Sequence, residues 1–171
     1  AACIVEPISG STGTLVPPKG YLNRLRKICD KHDILLIFDE VITGWGRTGS
    51  SFAAKEYGVT PDIMTMAKAT TNGIVPMGVV AVKEEIYDTI VNASPDGVIE
   101  LFHGYTYSGI PVAVAAALAV QDIFEKEDIF NRAKNLSSYF LDGLFSLKDI
   151  DCIENIRGYG LMGGIDIKKS D

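Results

Sequence analysis

The sequence predicts an α/β domain in which helices cover both faces of a mainly parallel β-sheet. Short apolar runs of strand length alternate along the chain with segments of helical periodicity. One run, residues 34–38, is apolar throughout, which is typical of a strand buried on both faces. Hydrophobic residues make up 47% and charged residues 22% of the 171 residues, as in ordinary globular proteins.

The individual elements follow from apolar spacing and from turn residues. Residues 2–5 have the pattern of a buried strand, and residues 6–20 are rich in Pro and Gly, which predicts a loop. Residues 21–29 carry apolar side chains at helical spacing. The later predictions are strands at 34–38, 63–66 and 78–82, a Gly-rich loop at 44–51, helices at 52–57, 84–91, 109–124 and 129–147, and two strands within 152–167. Because the chain opens within a core strand and ends without a closing element, we expect an internal fragment of a longer protein.

Composition excludes several classes of partner. Sixteen basic and 22 acidic residues give a net charge of −6, which argues against nucleic acid or an anionic membrane. No apolar run reaches the roughly 18 residues that a spanning helix needs. Three widely spaced cysteines predict reduced thiols and a cytoplasmic location. The two histidines, His32 and His103, are too far apart to predict a metal site.

Two charged side chains stand at the ends of neighbouring predicted strands. Asp39 directly follows residues 34–38, and Lys68 comes two positions after residues 63–66. Because parallel strands end at the same edge of a sheet, where ligands bind in open α/β folds, we expect Asp39 and Lys68 to lie near each other. A lysine amine among small, uncharged residues can act as a nucleophile, and an aspartate facing it can hold a pyridine nitrogen protonated.

Residues 44–49 read Gly-Trp-Gly-Arg-Thr-Gly and match the G-x-G-x-x-G pattern of dinucleotide sites. In such sites the glycines form the immediate turn between strand and helix. Here five residues intervene, and Asp39 and Glu40 would place negative charge beside a pyrophosphate. We therefore favour a structural role for this loop over dinucleotide binding.

Residues 103–109 precede the Ala-rich predicted helix and carry several hydroxyl groups. Hydroxyls beside a helix N-terminus predict an anion site, and Pro111 suits the first helical turn. The alternative is that Ser108 only caps the helix.

Several motifs occur in a fixed order along the chain: ACIVEP at 2–7, PPKGYL at 17–22, LIFDEV at 36–41, TGWGRTG at 43–49, PD at 61–62, AK at 67–68 and GYTYSG at 104–109. Taken together, these motifs resemble class III pyridoxal-phosphate-dependent aminotransferases of fold type I. The resemblance covers essentially the whole chain. Residues 6–13 and 102–109 look most like those of the ω-amino acid (β-alanine)–pyruvate transaminases.

The resemblance implies a role for each matching residue. Lys68 matches the catalytic lysine that holds pyridoxal 5′-phosphate as a Schiff base, and Asp39 matches the catalytic aspartate that pairs with the pyridine nitrogen. Val41 matches the apolar residue on one ring face, and Glu6 matches a glutamate close to that aspartate. Thr106 matches a threonine that binds the cofactor phosphate of the other subunit, which implies a homodimer with a shared active site.

The resemblance also implies an activity and a division of the chain. We expect transfer of an amino group from an ω-amino acid or amine, resembling β-alanine, to pyruvate. An aminomutase or racemase of the same class, or a non-catalytic fragment that holds no cofactor, remain alternatives. We expect residues 1–125 to be part of the large cofactor-binding domain and residues 126–171 to begin the small domain. Because family segments on either side are missing, the isolated chain is expected to be inactive. At residues 69–70, Ala-Thr replaces the more usual Gly-Leu.

Overall fold

The computed structural model describes residues 1–169 and has a mixed α/β architecture. The strands are β1 (Ala2–Val5), β2 (Leu35–Asp39), β3 (Ile63–Met66), β4 (Val79–Val82), β5 (Ile153–Tyr159) and β6 (Met162–Ile167). The helices are α1 (Tyr21–Lys31), α2 (Ala53–Tyr57), α3 (Glu84–Asn92), α4 (Pro111–Lys126) and α5 (Ile129–Phe145), with 3₁₀ turns at Lys68–Thr70 and Ser146–Asp149. Each element lies within a few residues of its predicted position.

The first four strands form one sheet whose spatial order is the chain order. β1 pairs with β2 and β2 pairs with β3 in parallel, whereas β4 is antiparallel to β3. The connection 67–78 contains only a 3₁₀ turn, without the crossover helix that a parallel fourth strand would require. The prediction of a mainly parallel sheet is confirmed, and its three parallel strands end at one edge.

Helix α1 covers one face of the sheet with an apolar stripe that recurs at helical spacing. The main core lies there and consists of Leu22, Cys29, Leu36, Phe38 and Val59. Strand residues that alternate with this set point to the opposite face. On that face Ile4 is 63% exposed, so the prediction that residues 2–5 are buried is wrong for Ile4 within this chain.

Asp62 ties three elements together at the edge of the sheet where β3 begins. Its carboxylate accepts hydrogen bonds from Arg26 Nη1, Lys83 Nζ and the Leu36 N–H, each at 2.7 Å. Burial alone would disfavour the charge, but the bonds from Lys83, the Leu36 N–H and Arg26 outweigh it and lower the pKa of Asp62 to about 2. This edge is opposite to the one that carries Asp39.

The final hairpin, β5 and β6, is antiparallel and contacts two loops of the sheet domain. Arg157 Nε donates to the Gly13 carbonyl at 2.7 Å, and the guanidinium also pairs with Asp166. At the hairpin turn, Gly160 has φ +59°, and a Cβ atom there would lie 2.5 Å from the Arg47 carbonyl oxygen. Glycine is therefore required for the close approach of the two backbones.

The predicted domain boundary falls where α4 ends, at Lys126, and before α5 begins at Ile129. Nothing in the geometry separates the two regions further, so the boundary stays a prediction. Within residues 1–169, no helix combines the length and the apolar character needed to cross a bilayer.

Candidate active site

The carboxyl edge of the parallel strands brings together three of the residues singled out in the sequence. Val5 pairs with Phe38 and Asp39 pairs with Thr65, so Glu6 and Asp39 stand at adjacent strand ends. Lys68 follows Thr65 by three positions, just beyond the end of β3. Adjacent strands lie about 4.8 Å apart, so the backbones of Glu6, Asp39 and Lys68 are at neighbouring strand ends.

The carboxylate of Asp39 is held by two donors at the end of β2. Its Oδ1 accepts the Val41 N–H at 3.0 Å and the Thr65 hydroxyl at 3.2 Å. Both contacts use Oδ1, and no hydrogen bond to Oδ2 forms within residues 1–169. The half-buried carboxylate is thus oriented by one oxygen, while the other is available to a ligand.

Lys68 occupies an unusual backbone conformation at the end of β3. Its φ is +48°, in the left-handed region that residues with a Cβ atom seldom adopt. The residue is exposed and begins the 3₁₀ turn Lys68–Thr70. Within the described part of the chain it takes part in no ion pair. Strained backbone of this kind is concentrated at functional sites, where surrounding contacts maintain it.

Glu40 is a fully buried carboxylate next to Asp39. It accepts hydrogen bonds from the Thr43 hydroxyl at 2.7 Å and from the Ala53 and Ala54 N–H groups at 2.9 and 2.7 Å. Burial raises the pKa of Glu40, although these three donors oppose the shift. Glu40 therefore joins the end of β2 to the start of α2, and the Gly-rich segment between them forms a closed loop.

The resemblance gives site roles to three more residues, Glu6, Val41 and Thr106. Glu6 accepts the Gly10 N–H at 2.9 Å, so its carboxylate closes its own loop. Val41 is half-buried, two positions after Asp39. Thr106 is exposed and makes no described hydrogen bond to Asp39 or Lys68. The roles that the resemblance gives these residues stay predictions.

The structure of the segment before α4 contradicts one of the two interpretations made from the sequence, an anion site or a helix cap at Ser108. Ile110 is the N-cap residue, and no side chain caps the helix, so the alternative in which Ser108 serves as its cap is wrong. Pro111 does occupy the first turn as expected. Residues 107–110 share a cavity with Pro76, Met77 and Gly78, which precede β4. Because β4 is antiparallel, this cavity opens at the same edge as Lys68.

Sequence reasoning missed three polar residues that organise the site: Thr65, Trp45 and Thr70. Thr65 is the single polar residue of β3, and a polar side chain within an otherwise apolar strand is a usable signal. Trp45 Nε1 donates to Thr70 Oγ1 at 3.1 Å, joining the Gly-rich loop to the turn that carries Lys68. No local pattern indicates that bond, because its partners are 25 positions apart.

Comparison with known families and proteins identifies the family to which this chain belongs. The model of the family described as aminotransferase class-III matches residues 1–171. An omega-aminotransferase of Caulobacter vibrioides is 55% identical over 98% of this chain, and a beta-alanine–pyruvate aminotransferase of Pseudomonas aeruginosa is 53% identical over 100% of it. The chain spans 38% of the length of each of these relatives.

Solved structures show the same likeness. An (S)-enantioselective omega-transaminase from Thermomicrobium roseum superposes with a TM-score of 0.92 at 44% identity, covering 99% of this chain and 37% of that one. An amine transaminase from an uncultivated Pseudomonas species, in a form with bound pyridoxal phosphate, superposes with a TM-score of 0.90 at 42% identity, covering 99% of this chain and 38% of that one.

Proposed function

Because this chain belongs to the class-III aminotransferases, which depend on pyridoxal 5′-phosphate, we propose that the full-length protein transfers an amino group from an ω-amino acid or amine to pyruvate. The observation that carries the proposal is the placement of Asp39 and Lys68 at the ends of adjacent parallel strands. The printed activities of the relatives from Caulobacter and Pseudomonas support the choice of substrates, with β-alanine as the model donor.

The residues at this edge suit the cofactor. Oδ1 of Asp39 is fixed by Val41 and Thr65, and Oδ2 can accept a ring N–H. Lys68 is exposed just beyond the end of β3, the strand next to β2, where its amine would meet the aldehyde of a cofactor held by Asp39. Val41 stands beside Asp39, where its side chain can cover one face of the ring. Pyridoxal phosphate supplies an aldehyde and an electron-accepting ring when it is bound.

We propose distinct tasks for the two charged residues. Lys68 would anchor the cofactor aldehyde through Nζ, and its amine, once displaced by the amino substrate, would move a proton at the substrate carbon. Asp39 would set its carboxylate against the ring nitrogen and so favour the protonated ring. Glu6, whose carboxylate accepts the Gly10 N–H, would support Asp39 only indirectly, from the neighbouring strand end.

We also propose that the full-length protein is a homodimer and that it is cytoplasmic. Thr106 is exposed and directly precedes residues 107–110, which line the cavity beside the start of β4, and an exposed hydroxyl suits a role in binding the cofactor phosphate of a second subunit. All three cysteines are free thiols, which fits the reducing cytoplasm.

Borohydride trapping tests the role of Lys68 directly. The full-length protein is loaded with pyridoxal phosphate, reduced and digested, and we expect the cofactor mass on the peptide that contains Lys68. Lys68→Arg should abolish that label and lower the formation of alanine from β-alanine and pyruvate by about 10²-fold or more. Lys55→Arg, at an exposed lysine of α2, is the matched control. A label on another lysine, or full activity of Lys68→Arg, would overturn the proposal.

The isolated chain provides a second test. It lacks most of the length of its relatives, and we expect it to produce no measurable alanine from β-alanine and pyruvate. Steady turnover by residues 1–171 alone would contradict this expectation.

A further inference from the structure

We propose that Trp45 and Thr70 are positioning residues that hold the backbone of Lys68 in its left-handed conformation. The inference rests on the proposed role of Lys68 and goes beyond it, because neither residue touches the reacting atoms. Trp45 belongs to the Gly-rich loop at residues 44–51, to which the proposed function assigns no role.

The backbone at Lys68 needs such support. Its φ is +48°, and the preceding residue, Ala67, is extended with φ −160° and ψ −147°. A left-handed residue with a Cβ atom lies above its relaxed conformation in energy. The orientation of the Ala67–Lys68 peptide therefore has to be fixed by contacts elsewhere.

A chain of hydrogen bonds ends on that peptide. Trp45 Nε1 donates to Thr70 Oγ1 at 3.1 Å, and the same hydroxyl donates to the Ala67 carbonyl at 3.1 Å. The Thr70 N–H also donates to this carbonyl at 3.1 Å. Because the carbonyl and the Lys68 N–H belong to one planar peptide unit, holding the oxygen also limits rotation about φ of Lys68.

Thr70, the middle residue of this series of hydrogen bonds, is buried. Thr70 is 3% exposed, so its hydroxyl has little access to water as an alternative partner. The neighbouring Ala69 packs against Val120 and Phe124 of α4, which fixes the turn from the other side.

Trp45 is itself held firmly. The Trp45 ring lies 5.0 Å from that of Phe52 and 5.8 Å from that of Phe124, and the Trp45 backbone N–H donates to the Ser51 carbonyl at 2.6 Å. The preceding Gly44 donates its N–H to the Glu40 carbonyl at 2.9 Å. The Gly-rich loop thus contacts the residue after Asp39 through Gly44 and the turn that carries Lys68 through Trp45.

Four variants of the full-length holoenzyme test the inference. Thr70→Val keeps the shape and removes the hydroxyl, and Thr70→Ser restores it. Trp45→Phe removes the indole N–H but retains an aromatic ring against Phe52 and Phe124. Thr89→Val is the matched control, since it removes an exposed threonine hydroxyl that donates to the Glu85 carbonyl in α3.

We expect Thr70→Val and Trp45→Phe to lower kcat about tenfold and to leave KM within about twofold, because a misplaced reacting group impairs rate more than binding. The pH midpoint of the visible absorbance of the bound cofactor, which reports the protonation of the Lys68 nitrogen, should shift by about half a unit or more in both variants. Thr70→Ser should return both quantities to their original values, and Thr89→Val should change neither.

The double variant decides whether the two residues act through one chain of bonds. Trp45→Phe combined with Thr70→Val should match the single variants within about twofold, since either change alone already breaks the chain. Multiplied effects, or an unchanged midpoint and kcat in a folded, cofactor-loaded Thr70→Val enzyme, overturn the inference. If the Thr70→Val enzyme gives that result while borohydride still labels its Lys68, only this inference fails. If borohydride does not label Lys68 in the original protein, the proposed function itself is refuted.

Discussion

Replacing Asp62 by asparagine removes the negative charge that Arg26 and Lys83 share, each at 2.7 Å. The Asp62 and Arg26 side chains are 7% and 17% exposed, so water screens their contact little, whereas Lys83 is 40% exposed. The pKa of Asp62 is lowered from 3.8 to about 2. At about 1.4 kcal/mol per pKa unit, folding favours the charged form by about 2.5 kcal/mol, and solvent at Lys83 reduces this figure. We therefore expect Asp62→Asn to lower the free energy of unfolding at pH 7 by about 2 kcal/mol.

The pH dependence of this effect has a definite sign. The pKa of Asp62 is lower in the folded than in the unfolded state, so its stabilisation is complete above about pH 4 and is lost as the pH falls towards 2. Urea denaturation followed by circular dichroism, for the original protein and for Asp62→Asn, measures the difference. It should be constant between pH 7 and 5 and shrink at about pH 3 and below.

An exposed ion pair provides the control for Asp62. Asp122 and Lys126 lie 3.0 Å apart on α4, with side chains 65% and 73% exposed. Asp122→Asn should change the free energy of unfolding by less than about 0.5 kcal/mol, because solvent screens the pair. Equal effects of the two substitutions, or an Asp62→Asn difference that persists unchanged to pH 2, would show that the buried charge does not stabilise the fold.

Four further changes have expected outcomes. Asp39→Asn should lower kcat/KM of the full-length enzyme by about 10²-fold, and Thr65→Val by about fivefold, because the Val41 N–H still orients Asp39. Gly160→Ala should destabilise the fold by more than about 2 kcal/mol, since it combines a left-handed φ with a contact to the Arg47 carbonyl. Gly143→Ala, in α5 with no atom within 4 Å of the added Cβ, should instead stabilise it by about 0.5–1 kcal/mol. Steady-state kinetics and urea denaturation measure these effects, and equal responses of the two glycines would contradict the steric argument.

The positions of Asp39 and Lys68 were predictable because they depend on local pattern and on one rule of topology. Each follows a short apolar run, and parallel strands share the edge at which they end. The direction of β4 was harder to predict from the sequence, since its apolar pattern is the same for either orientation. Only the connection 67–78, which lacks an α-helix, decides that β4 is antiparallel.

Exposure of the sheet could not be predicted from strand patterns alone. Ile4 belongs to a run with the composition of a buried strand, yet it is 63% exposed, because burial depends on what packs above a strand. The pattern of residues 2–5 therefore encodes the strand but not what packs above it, and the chain spans 38% of the length of the curated relatives it matches.

The Gly-rich loop illustrates the difference between matching a pattern and having the function that the pattern names. Its glycines are needed for close contacts: a Cβ atom at Gly44 would lie 2.7 Å from the Glu40 carbonyl oxygen and 3.1 Å from the Phe52 ring. A side chain at Gly44 would displace the adjacent Trp45 and so weaken its hydrogen bond to Thr70. The spacing of glycines that admits a pyrophosphate in other proteins here admits the protein's own backbone, and the loop presents the indole that donates to Thr70.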